Sequence, residues 1–163
     1  MQALPITLEE RNPSSRFSVV IIYEDFITGW RAQKGCALLA SEFGEECEFT
    51  HSLWRSDLLE DPQLKTCIVS KVSGADLVII SVHRKLCVRI SAVVNAWAAE
   101  KRYRDSVLMA VFDQAETCSF QRNLAFARLA MLARRCGLDF FEQTVGGPEA
   151  DQHGERLTLV WVF

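Results

Sequence analysis

The sequence predicts an α/β domain, a three-layer doubly wound sandwich in which five parallel strands alternate with four helices. Three observations carry that expectation. Val19-Val20-Ile21-Ile22 and Leu77-Val78-Ile79-Ile80-Ser81-Val82 are unbroken apolar runs, which read as strands covered on both faces. Ile90, Val93, Val94 and Trp97 recur at i, i+3, i+4 and i+7, the spacing of an amphipathic helix. Strand-like and helix-like stretches then alternate, and parallel strands need crossovers to connect them.

The elements follow in order. Residues 1–16 contain Pro5, Pro13, Ser14 and Ser15 and read as an arm. Residues 17–145 form the domain, and 146–163 are a turn followed by a C-terminal strand or docked tail. The first strand is expected at Phe17–Tyr23. The first helix is expected at Thr28–Phe43, with Ala32, Cys36, Leu39, Ala40 and Phe43 inward and Gly44 as a left-handed cap. Glu46–Trp54 alternates partly, with Cys47, Phe49, His51 and Leu53 on one side, as in a half-covered edge strand. Asp57-Leu58-Leu59-Glu60 resembles a helix cap, and Pro62 suits a first helical turn. Leu64, Cys67, Ile68 and Val72 mark the inner stripe of the second helix, which Gly74 ends. Leu77–Val82 is the third strand, and the helix through Ile90 and Trp97 follows it. Val107–Phe112 is the fourth strand, closed by Asp113. Ser119 can cap the fourth helix, with Leu124, Leu129, Leu132 and Cys136 along it and Gly137 at its end. Leu138–Val145 is the fifth strand. Leu157–Phe163, LTLVWVF, is too apolar to float free.

Bulk composition narrows the function classes. The 163 residues suit one domain with a full-sized core, at 49% apolar and 24% charged. A net charge of −3 and a pI near 5.6 give no general attraction for nucleic acid or for an anionic membrane. The expectation is a cytoplasmic protein, since no apolar stretch has signal-peptide or membrane-spanning length. The six cysteines are widely spaced, without a C-x-x-C pair, and read as small reduced core residues. No Gly-rich dinucleotide fingerprint, Walker loop, H-E-x-x-H or G-x-S-x-G is present.

In a sheet of this kind, ligands sit at the carboxyl ends of the strands where the winding reverses. That brings Glu24–Trp30 opposite Ser81–Arg89. Two assignments stand there. In the first, Thr28, Gly29, a helix N-terminus and His83-Arg84-Lys85 hold a phosphate, while Phe26, Trp30 or Trp54 stacks on a planar ring. In the second, Thr28 is a helix cap, the basic trio is a solvated loop and the aromatics belong to the core. Glu24, Asp25 and Asp113 also gather at that edge and could share a divalent cation, or be ordinary loop acids. His83 sits where an acid or base could act, with no nucleophile near it in sequence.

Thr28-Gly29 before a helix, and the Ser81–Trp97 segment, make residues 17–145 resemble flavodoxin-like proteins, including quinone and flavin reductases and uncharacterised bacterial members. The resemblance implies strand order 2-1-3-4-5 and FMN, or another phosphorylated planar ligand, in the crevice. Glu24 and Asp25 stand where flavodoxins crowd Ser and Thr. The chain is also similar to response-regulator receivers, which place acids after the first strand. It has Ser81, Val82 and His83 where a receiver has its phosphorylated Asp, and Glu142 and Gln143 near the place of the late Lys. That second resemblance implies a non-catalytic interaction module, whose C-terminal segment could pair with a second copy or another protein.

Overall fold

The computed structural model describes residues 15–43, 47–100, 106–113, 120–146 and 159–162, the last as backbone. Strands β1 (Ser15–Tyr23), β2 (Cys47–Arg55), β3 (Leu77–Ser81), β4 (Val107–Asp113) and β5 (Asp139–Val145) run parallel in the order β2-β1-β3-β4-β5. A sixth strand, β6 (Leu159–Val162), lies antiparallel on β5, with Phe140 opposite Val162. Residues 159–162 are therefore the last strand of the described sheet.

The helices are α1 (Phe26–Phe43), α2 (Pro62–Ser73), α3 (Val88–Glu100) and α4 (Phe120–Cys136). They divide unevenly between the two faces. Ala32 and Cys36 of α1 pack on Val19, Ile21, Leu77, Ile79, Met109 and Val111. The opposite set of strand side chains, among them Val20, Ile22, Val78, Ile80 and Phe112, is covered by α2, α3 and α4. Strand side chains alternate between faces, so both layers are buried. That is why the runs at 19–22 and 77–80 are continuously apolar.

α3 buries Ile90, Val93, Val94 and Trp97, as its spacing predicts. Gly137 ends α4 at φ +67°, a left-handed conformation that favours glycine.

Several expectations shift. β1 begins two residues earlier than the apolar run suggests. Asp57–Glu60 does not open α2: Ser56–Glu60 is a 3-10 turn, and Asp61 caps the helix by accepting the Gln63 N–H at 2.9 Å, with Pro62 in its first turn. The buried stripe of α4 is Ala125, Leu129 and Ala133, while Leu124 is exposed. Cys36 is buried, but Cys67 is exposed and Cys87 and Cys136 are half-buried, so the cysteines are not uniformly core residues. His51 is exposed on β2. Gly44, Ser119 and residues 1–14 of the expected 1–16 arm lie outside the described residues, while Ser15 and Arg16 belong to β1.

Candidate functional site

Parallel pairing places Tyr23 of β1 opposite Ser81 of β3, so the segments after them meet at the carboxyl edge of the sheet. The two loops are joined directly. The buried Ser81 hydroxyl donates to the Thr28 carbonyl at 2.7 Å. The His83 N–H donates to Glu24 Oε2 at 3.1 Å, and His83 Nε2 lies 2.5 Å from Asp25 Oδ2. Glu24–Trp30 and Ser81–His83 thus form one contact surface, as expected from the strand order.

The head of α1 explains why this loop is well defined. The helix begins at Phe26, two residues before the expected start, because Asp25 is its cap. Asp25 Oδ1 accepts the Thr28 N–H at 3.0 Å. In return, Thr28 Oγ1 accepts the backbone N–H groups of Glu24 and Asp25, each at 2.9 Å. Its own proton faces the Asp25 carbonyl at 3.0 Å and Oδ1 at 3.1 Å. This is a capping box in which Asp and Thr replace the usual Ser and Glu. Thr28 is fully buried and its hydroxyl is spent within the turn.

Gly29 is also an internal packing residue. A Cβ there would lie 2.9 Å from Tyr23 Cδ2, and its N–H donates to the Asp25 carbonyl at 2.9 Å. Trp30 is half-buried on the α1 side, with Lys34 Nζ 5.0 Å from its ring centre. Trp54 packs into the opposite face, with Lys71 at 6.0 Å. The two indoles therefore lie on opposite faces of the sheet, and Phe26, the first residue of α1, is 77% exposed. Arg84 and Lys85 are exposed in the loop before α3, where Lys85 lines a recess against α4.

Electrostatics separate the two acids. Burial raises the Glu24 carboxyl above its ordinary value of 4.5, against the lowering effects of the His83 N–H and the His83 charge. At Asp25 burial also works to raise the value, but the Thr28 N–H, the His83 hydrogen bond and the His83 charge outweigh it and hold the group below 3.8. Asp113 does not join them. It accepts from Arg31 Nη2 at 2.8 Å, and no group of three metal-ligating side chains occurs among the described residues.

The Arg31–Asp113 pair was not singled out by the sequence. Arg31 is 5% exposed, and its Nε and Nη1 have no hydrogen-bond partner among the described residues. Nearby on the same helix, Gly35 lies against Gln143 of β5, which is 1% exposed; a Cβ at Gly35 would meet Gln143 Oε1 at 2.5 Å. Arg31 lies on the Thr28–Ala32–Cys36 stripe of α1. A cation on an apolar stripe needs a buried partner, and that was the available signal.

No protein-family model matches the chain, and no curated protein matches it. Among solved structures it is similar to FerB, a flavoenzyme NAD(P)H:(acceptor) oxidoreductase from Paracoccus denitrificans, at 14% identity and a TM-score of 0.45, covering 76% of this chain and 74% of that one. It is also similar to the Trp repressor binding protein from Bacillus subtilis, at 9% identity, a TM-score of 0.47, and coverage of 82% and 86%. A third is a flavodoxin-like domain from Synechococcus sp., at 15% identity, a TM-score of 0.41, and coverage of 74% and 75%. The fold assignment rests on the chain itself: five parallel strands in the order 2-1-3-4-5 with intervening helices are a flavodoxin-like fold.

Proposed function

We propose that the protein is a non-catalytic interaction module built on the flavodoxin-like fold. One observation carries this reading: the head of α1, where a phosphate would be expected, is filled by the chain's own Asp25 and Thr28. A helix N-terminus attracts anions because its first N–H groups lack partners. Here the Asp25 carboxylate already accepts the Thr28 N–H, and a phosphate would meet the negative charges of both Asp25 and Glu24. The Glu24–Asp25–His83 contacts then serve to lock the β1 and β3 loops together. As in a receiver, the acids follow the first strand, but the third strand ends in a serine used for packing.

A second reading has one observation in its favour. Arg84 and Lys85 are exposed beside the point where the winding reverses, and such cations suit a phosphorylated planar ligand such as FMN. FMN fluorescence quenching separates the two. The interaction-module reading expects a colourless purified protein and no saturable quenching. Saturable quenching, reduced in Arg84→Ala, would establish the flavin reading in its place.

The partner surface expected from the sequence was the C-terminal segment. β6 is the last strand of the described sheet, and an edge strand offers unpaired backbone groups to a second copy or another protein. Light scattering across a concentration series tests self-association through it.

A further inference from the structure

A second surface lies between α3 and α4, beginning at the loop that precedes α3. Two recesses of about 260 and 250 Å3 adjoin there and share Leu86 and Arg128. The first is bounded by Val94 of α3 and by Met131, Leu132 and Arg135 of α4. The second is bounded by Lys85, Phe120 and Leu124. Together they follow α4 from Phe120 to Arg135, a span of about 22 Å at the ~1.5 Å rise of a helix.

Two properties set this groove apart from ordinary surface. Its rim is apolar and open: Phe120 is 80% exposed, Met131 61% and Leu124 44%, within four turns of one helix. Scattered exposed apolar residues need no explanation, but a contiguous rimmed set marks an interaction site. Its charge is one-sided. Lys85, Arg128 and Arg135 line it and, among the described residues, no acid does, in a chain whose net charge is −3. None of these three cations takes part in an ion pair among the described residues.

We infer that this groove docks an acidic amphipathic helix of a partner protein. The inference rests on the interaction-module reading and supplies the chemistry of the partner. The two recesses are strung along about 22 Å of helix rather than gathered into one compact small-molecule site. Each fits a single anchor side chain, and a helix laid in a groove presents such anchors at i, i+4 and i+7. Carboxylates flanking those anchors would meet Lys85, Arg128 and Arg135. A second copy fits poorly: a two-fold contact through this patch would set like charges against each other.

The test is a display library of helical peptides with apolar anchors at i, i+4 and i+7 and randomised polar positions, selected against the whole protein. The expected result is enrichment of Asp and Glu over Lys and Arg, with binding reduced about tenfold or more in Arg128→Glu/Arg135→Glu and in Met131→Glu. These positions are exposed, and unchanged thermal melting confirms that each variant is folded. Failure to select binders, selection without acidic preference, or binders indifferent to the substitutions would overturn the inference. So would a wild-type dimer in light scattering that Met131→Glu dissociates, since a second copy would then be the occupant. FMN quenching reads the crevice and not this groove, so loss of the interaction-module reading would show there independently.

Discussion

Replacing Thr28 by Val tests the claim that its hydroxyl belongs to the fold. Val has nearly the same shape and a similar helix propensity, so the change removes the hydroxyl without leaving a cavity. The hydroxyl accepts two backbone N–H groups and donates once, to Asp25. Each hydrogen bond contributes about 1 kcal/mol net, and the orphaned N–H groups are only partly buried, so the loss should total about 2–3 kcal/mol. At about 2–4 °C per kcal/mol for a chain of this size, Tm should fall by roughly 4–12 °C. Thr28→Ser keeps the hydroxyl and deletes one methyl, which costs about 1 kcal/mol. The assay is thermal unfolding of both variants without any added ligand. If Thr28→Val is no less stable than Thr28→Ser, the hydroxyl is not held in the turn and the reasoning fails.

Three further outcomes follow from the same geometry. Asp113→Ala should destabilise more than Arg31→Met in urea unfolding, by about 1 kcal/mol or more. The first strands a guanidinium that is 6% exposed, while the second leaves a carboxylate that is 22% exposed and can reach water. Gly35→Ala should cost about 1–3 kcal/mol, because the buried Gln143 has little room to yield, and Gln143→Ala should relieve most of that cost in a double-mutant cycle. The two acids should give opposite pH signatures in urea midpoints from pH 3 to 8. Asp25 is lowered in the folded state, so its contribution is present above 3.8 and lost as pH falls through the folded value; Asp25→Asn should flatten that acid limb. Glu24 is raised, so its ionisation opposes folding above 4.5, and Glu24→Gln should gain on the wild type as pH rises. Differences that stay constant across the range would contradict both assignments.

The architecture was largely legible in the sequence, because burial on both faces forces continuous apolar runs such as Val19–Ile22 and Leu77–Ile80. The face each helix presents was legible where bulky residues carry it, as in α3. In α4 it was legible in part: Leu129 is buried and Leu132 and Cys136 pack on the core, but Leu124 is exposed and the buried Ala125 and Ala133 give little signal. The start of α1 was misplaced for a related reason: Asp25 reads equally as a loop acid or a cap, and only the Thr28 hydrogen bonds decide it. The crevice partners were foreseeable from strand order. The Arg31–Asp113 pair joins residues 82 apart in sequence and depends on how α1 crosses the sheet, which no local pattern encodes. The groove between α3 and α4 escaped notice because its exposed apolar residues look like core residues in a one-dimensional pattern.

The central claim is that Asp25 and Thr28 cap the head of α1 by accepting the N–H groups of Glu24, Asp25 and Thr28. The most direct measurement is a titration of 15N-labelled protein with FMN, following the backbone amides of Glu24, Asp25 and Thr28. These amides are expected to keep their chemical shifts throughout, since each N–H already has a partner within the turn. Saturable shifts at all three would mean that a phosphate displaces Asp25, and that the crevice is a ligand site after all.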